Sequence, residues 1–170
     1  MLIPDNPALL GQVLQGDSWK AWRILLIAAM GETLKEDERE LFKQLTQRDH
    51  EPNRRVEEFV GVIGRRGGKS RAVSALATFI AGLCDHPSLV AGETGVLLCI
   101  APDQEQAGIV LDYVEANFRR SKVLSQLVVS RTARALELRN GIEIRVKASD
   151  FRRLRGPSCP SSEHLAQMAA

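Results

Sequence analysis

Two short apolar runs, Phe59–Ile63 (FVGVI) and Val96–Ala101 (VLLCIA), restrict the fold more than any other feature of the chain. Runs of this length bounded by turn signals suit strands buried on both faces, as in a parallel sheet. Each is followed by a helix signal. After the first come the glycine-rich stretch Gly64–Gly68 and a helical pattern from Lys69 to Cys84, with Val73, Leu76, Phe79, Ile80 and Leu83 at helical spacing. After the second, Pro102 ends the strand, and Asp103 with Gln106 can cap a helix reaching Arg119. Strand, glycine loop, helix, strand, helix is the alternation of an α/β domain with a parallel sheet.

Helices come before this region and a hairpin after it. Asp17 and Ser18 can cap a helix through Trp19, Trp22, Leu25, Leu26 and Ala29, stopped by Gly31. Thr33 with Glu36 makes a capping box for a second helix, with Leu34, Leu41, Phe42 and Leu45 on an apolar face. The polar, proline-containing QRDHEPNRR then reads as a linker. Further on, Leu136 and Leu138 alternate up to Asn140-Gly141, and Ile142, Ile144 and Val146 alternate after it, which predicts a hairpin with a two-residue turn. Ser149 or Asp150 can cap a short turn through FRRLRG, and no strand is expected in the closing PSCPSSEHLAQMAA.

Composition narrows the function classes. With 170 residues, 44% apolar and 26% charged, the chain reads as one globular domain of ordinary size. The longest apolar candidate for a membrane span, Ile24 to Met30, is far too short, and MLIPDNPALL has no basic region of the kind that opens a secretory leader. Cys84, Cys99 and Cys159 are odd in number and form no CxxC pair, and His50, His86 and His164 are scattered. These argue against a disulfide scaffold and a structural zinc site, and the chain reads as cytoplasmic and reduced. Between Arg119 and Arg155 stand eleven Lys/Arg and three acids, a net of +8, while the remainder carries −6. That asymmetry suits contact with a polyanion; the plainer reading is a solvated arginine-rich face.

The chemistry lies in Gly64-Arg65-Arg66-Gly67-Gly68-Lys69-Ser70, set between the first expected strand and its helix. A polyphosphate needs backbone N–H groups with no Cβ in the way, which Gly67 and Gly68 can supply, and the following helix adds the positive end of its dipole. Lys69 would reach the β/γ-phosphates of ATP and the Ser70 hydroxyl would ligate Mg²⁺. The consensus G-x-x-x-x-G-K-[ST] places its first glycine at Ile63, so the match is imperfect. The plainer alternative is a basic loop that touches nucleic acid.

VIGRRGGKSRA resembles the deviant phosphate-binding loop of the large subunit of tailed-phage terminases, the DNA-packaging motors, with Arg65 or Arg66 at the family's early arginine. SWKAWRILL followed by LFKQLTQR resembles that family's N-terminal helices. CIAPDQEQAGIVL resembles its helicase-like coupling strand and helix, and NGIEIRVKASDFRRLRG its hairpin and arginine-glycine segment. The resemblance spans Ser18 to Pro157. It implies a P-loop NTPase (RecA/ASCE-like) parallel sheet with N-terminal helices: a helical segment 1–50, an incomplete ATPase core 51–157 and a divergent tail 158–170.

By the same resemblance, the chain is part of an ATP-driven motor that packages double-stranded DNA in the host bacterial cytoplasm. Its partners would be the terminase small subunit and the portal, with a ring forming in the full-length protein. An arginine finger would come from Arg155, with Arg152 and Arg153 behind it; the alternatives are phosphate-backbone contact or a solvated turn. Arg65 and Arg66 would sense the γ-phosphate or simply complement its charge. Trp19 and Trp22 read as core packing before adenine stacking, Gln47 as a surface residue before an adenine reader, and Cys99 as a small core residue. The resemblance places an apolar strand ending in Asp-Glu after the arginine-glycine pair, where this chain has Pro160-Ser161-Ser162-Glu163-His164-Leu165-Ala166-Gln167. The expectation is therefore a truncated or frameshifted product that binds nucleotide with little hydrolysis and leaves FVGVI exposed. The competing classes are a non-catalytic nucleotide- or DNA-binding remnant and a P-loop ATPase or helicase outside packaging.

Overall fold

The computed structural model describes residues 13–90 and 92–149, together with the backbone of Met168–Ala169. The chain divides into two units between Gly67 and Gly68.

The first unit is built on two helices. A 3₁₀ turn at Asp17–Trp19 leads into α1, Lys20–Ala29, and α2 spans Glu36–Thr46. Ile24, Ile27 and Ala28 of α1 pack with Leu34 and Phe42, and Leu41 lies at the edge of this cluster. Leu45 stands outside it, 44% exposed, so the expected apolar face of α2 is narrower than its sequence implies. The N-cap of α2 is Lys35, whose backbone N–H donates to Glu38 at 3.1 Å, in place of the Thr33–Glu36 box. The cause is Leu34: its side chain is buried and its N–H donates to Glu51 at 3.1 Å, so the chain stays extended through that point.

The expected linker is anchored to this unit. Glu51 accepts from Arg39 Nη2 at 2.9 Å and from Arg39 Nε, and Val56 N–H donates to the Ala29 carbonyl. Gly31, at φ +77°, lies so close to Arg54 that a Cβ there would meet the Arg54 carbonyl carbon at 2.3 Å. Only glycine allows this crossing.

Phe59–Ile63 is not a strand, which corrects the sequence expectation. Val60 is 78% and Val62 fully exposed, and the backbone of Phe59–Val62 makes no hydrogen bond among the described residues. An apolar run becomes a buried strand only where a neighbouring strand pairs with it.

The second unit runs α3 (Lys69–Leu83), β1 (Gly95–Ala101), α4 (Gln104–Arg120), α5 (Lys122–Ser125), β2 (Val128–Arg131), β3 (Ala135–Leu138), β4 (Ile142–Ala148) and β5 (Met168–Ala169). The sheet order is β2-β3-β4-β1-β5. β1 pairs parallel with β4 along its whole length, and with the two-residue β5 at Cys99 and Ile100. β2–β3 and β3–β4 are antiparallel. The fold is α/β with N-terminal helices, as expected, but its open sheet is mixed, not parallel. The brief β5 also stands in a tail where no strand was expected.

The face of β1, β3 and β4 that carries Leu97, Cys99, Ala101, Leu136, Leu138, Ile142, Ile144 and Val146 is buried against the helices. The face of α3 that goes inward consists of small residues, Ala72, Ser74, Ala75, Ala77, Thr78 and Ala81, with Ile80; Val73, Leu76, Phe79 and Leu83 are half-buried. Of the residues expected on the apolar face only Ile80 is buried, so the buried face is shifted from the expected one. The cause is close approach to α4, where a Cβ on Gly82 would meet the Phe118 ring at 3.0 Å. The Asn117 side chain lies at the same contact, within 3.4 Å of Ser74 Oγ and 3.3 Å of Thr78 Oγ1.

The β3–β4 hairpin is present with a longer loop than expected. Leu136 faces Ile144 and Glu137 faces Glu143, which leaves Arg139, Asn140 and Gly141 as loop residues. Gly141 N–H donates to the Leu138 carbonyl, and Gly141 has φ +82° while Asn140 does not adopt a positive φ. A type I turn closed by a left-handed glycine fits this strand twist as well as the two-residue turn does.

Candidate functional site: a glycine-rich loop ahead of a helix

The division between the units falls inside the glycine motif, so each half is described by itself. In the first unit, Gly67 N–H donates to the Gly64 carbonyl at 3.2 Å, closing a turn over Arg65 and Arg66. Arg66 takes φ +62°, the left-handed conformation needed at the third position of a type II turn. An arginine there is strained, where glycine would not be. Gly67 has to be glycine, since a Cβ would meet Ile63 Cγ2 at 2.4 Å and the Gly64 carbonyl at 3.1 Å. Gly64 has open space around it, so its position makes no such demand. Both arginine side chains are exposed.

The turn also alters the expected division of labour. The N–H of Gly67, assigned from sequence to a phosphate, is already engaged within the loop. An anion would then rely on other donors, among them those at the start of α3. Gly68, at φ +78°, is the N-cap of α3, no side chain caps this end, and the first intrahelical bond runs from Ala72 N–H to the Gly68 carbonyl at 3.0 Å. A helix leaves its first N–H groups without intrahelical acceptors and concentrates positive potential there. Lys69 and Ser70 occupy the first two helical positions. The Ser70 hydroxyl makes no hydrogen bond among the described residues, which fits a hydroxyl available to a cation carried by phosphate. Among the described residues no group of three or more His, Cys, Asp or Glu could hold a metal ion by itself.

A side chain of α1 also reaches the loop. Trp22 Nε1 donates to the Gly67 carbonyl at 2.7 Å. The indole was assigned to packing or base stacking, and a helical tryptophan gives no sequence signal of where its N–H points. Gln47 is exposed and ends α2 in the left-handed conformation at φ +58°. Cys99 is buried, as expected, and burial pushes its thiol up to about 11.

The expected basic face is partly neutralised where it is described. Arg131 bridges Asp112 at 2.7 Å and Glu115 at 3.1 Å, Arg119 pairs with Glu115 at 2.6 Å, and Arg145 with Glu143 at 2.8 Å. Two of those acids, Asp112 and Glu115, come from α4, outside the basic window, which charge counting along the sequence could not reveal. Arg152, Arg153, Arg155 and Glu163 lie outside the described residues.

In comparisons with family models, with curated proteins and with solved structures, the chain matches none. No helix among the described residues is long and apolar enough to cross a membrane.

Proposed function

We propose that the chain binds the triphosphate of ATP at Gly68, Lys69 and Ser70, as the nucleotide-binding part of a motor of the phage-terminase type. The observation that carries the reading is the register of the helix start: α3 begins at Lys69, with left-handed Gly68 as its N-cap. A helix start at the lysine of Gly-Lys-Ser is what a phosphate-binding loop would need, which supports the reading. Gly68 supplies a backbone donor free of Cβ, Lys69 a cation at the start of the helix, and Ser70 an oxygen ligand for Mg²⁺. Magnesium would neutralise phosphate charge and orient the phosphates.

Binding without rapid turnover is part of the proposal. The resemblance places an Asp-Glu pair where the sequence reads Pro160-Ser161-Ser162-Glu163-His164-Leu165-Ala166-Gln167, and that difference motivates it. Arg155 is retained as the candidate finger, with double-stranded DNA, the small subunit and the portal as partners by resemblance. A host-cytoplasmic setting belongs to the same reading.

Calorimetric titration with MgATP tests it. Wild type is expected to bind and Lys69→Ala to lose at least tenfold in affinity. Equal binding by the two proteins overturns the assignment. Mg²⁺-dependent ATP hydrolysis abolished by Lys69→Ala would overturn only its non-hydrolytic part.

A further inference from the structure

We propose that Asn140 is a deamidation site, held unreacted by the folded hairpin, and that its modification removes the cap it places on α3. Of the four asparagines, Asn6, Asn53, Asn117 and Asn140, only Asn140 is followed by glycine. Deamidation is an attack of the next residue's backbone nitrogen on the side-chain amide carbon, and a glycine there puts no Cβ in its path. Hydroxide takes the proton from Gly141 N, and the nitrogen forms a bond to Asn140 Cγ. The Cγ–Nδ2 bond breaks and ammonia leaves. Water then opens the cyclic imide to aspartate or isoaspartate. The net change is amide and water to carboxylate and ammonium, with nothing oxidised or reduced. Asn140 is exposed, so water reaches it.

In the folded state both reacting groups are engaged. Asn140 Nδ2 donates to the Ala81 carbonyl at 2.7 Å, and Asn140 Oδ1 accepts from Ile142 N–H at 3.4 Å. Gly141 N–H, whose proton must leave, donates to the Leu138 carbonyl at 3.1 Å. Attack therefore requires the loop to open around Asn140 and Gly141. The product cannot close it in the same way. A carboxylate has no donor for the Ala81 carbonyl and sets negative charge beside it, near the end of α3 where the helix dipole is already negative. Each opening that ends in reaction is irreversible, and the modified chain keeps α3 without this cap.

Conversion is followed on the full chain by peptide mapping with mass spectrometry, in mildly alkaline buffer and in the same buffer with denaturing urea. In urea, Asn140 should convert at least about tenfold faster than Asn53, an exposed asparagine followed by arginine. Native protein should convert Asn140 at least about tenfold more slowly than the unfolded chain, because only opened molecules react. Equal rates at Asn140 and Asn53 in urea overturn the site. Equal rates at Asn140 in native and unfolded protein overturn the shielding. Asn140→Asp, which supplies the aspartate product directly, should lower the urea midpoint at least as far as Asn140→Ala. A midpoint equal to that of wild type overturns the uncapping. Should Asn140→Asp fail to fold, wild type aged to partial conversion takes its place. Its modified fraction should unfold first in urea, and unfolding in step with the unmodified chain overturns the uncapping.

Discussion

Asn140, in the β3–β4 loop, donates from Nδ2 to the carbonyl of Ala81 at 2.7 Å, and so closes the last turn of α3 from a distant part of the chain. His86 Nε2 does the same for the Ile80 carbonyl at 2.9 Å, which requires that nitrogen to carry the proton. Helix ends leave carbonyls without intrahelical donors, and here the hairpin and the following loop supply them. Asn140→Ala should destabilise the second unit by about 1 kcal/mol through this bond. Gly141→Ala should cost a similar ~1 kcal/mol from its left-handed backbone, because the Cβ would only reach ordinary contact distance of the Glu93 carbonyl. Urea unfolding followed by circular dichroism measures both, and unchanged midpoints would refute the hairpin's capping role.

Asn117 sits between α3 and α4 with its amide turned to two hydroxyl oxygens whose hydrogens are already donated, Ser74 to Arg71 and Thr78 to Ser74. Only a donor suits that place. Asn117→Asp should therefore be worse than Asn117→Ala, about 3 kcal/mol against about 1–2 kcal/mol, since it sets a carboxylate against two acceptors in a buried contact. The reverse order in denaturant melts would mean the amide is oriented the other way round.

Glu51 gives the first unit an acid-sensitive point. Its hydrogen bonds to Arg39, aided by the Leu34 N–H, hold its carboxyl down to about 2 against desolvation. A depressed carboxyl stabilises the folded state fully above the unfolded value near 4.5 and loses that contribution as pH falls toward 2. Glu51→Gln should lower stability by about 1 kcal/mol at pH 7, the guanidinium being partly exposed, and by progressively less below pH 4. Thermal melts at pH 7, 4 and 2.5 check this; a difference that grows on acidification would contradict the pairing.

Val60 and Val62 lose nothing on becoming charged, because neither is covered among the described residues. The double variant Val60→Lys/Val62→Lys should unfold within ~0.5 kcal/mol of wild type and remain soluble at higher concentration. A large loss of stability would show that the segment has a packing partner in the folded protein.

Cys99 should resist thiol reagents at pH 8 in a Cys84→Ser/Cys159→Ser background, since burial raises its thiol to about 11 and the thiolate is the reactive form. Labelling should require denaturant. Rapid native labelling would place Cys99 at the surface.

The sequence was most legible where local chemistry decides structure. Asp103 accepts from Gln106 N–H at 2.8 Å as its spacing predicts, Gly31 ends α1, and the alternation from Leu136 to Val146 gives a hairpin with Leu136, Leu138, Ile142, Ile144 and Val146 all buried. It failed where a distant partner decides. Phe59–Ile63 has the composition of a strand, yet the backbone of Phe59–Val62 makes no hydrogen bond among the described residues. Val73, Leu76 and Phe79 have the spacing of a buried helix face, yet a close helix–helix contact favours the alanines beside them. The register of the glycine motif could be read from its residues. The turn that occupies Gly67 N–H, and the indole that holds its carbonyl, depend on geometry that no spacing rule carries.

The parallel pair of β1 with β4 sets Val96 beside Glu143, Leu98 beside Arg145 and Ile100 beside Lys147, all on the face opposite the one packed on α3 and α4. Sliding β4 by one residue would turn those charges inward beneath α4, leaving them desolvated and without partners. The alternation of charged and apolar residues therefore excludes odd slips of β4. β3 and β4 are joined by a short loop and can zip together early, whereas β1 is separated from β4 by α4, α5 and two strands. Its docking waits on the closure of that long loop. Until the Glu143–Lys147 segment has left the ribosome, β1 lacks the strand that it pairs with along its whole length.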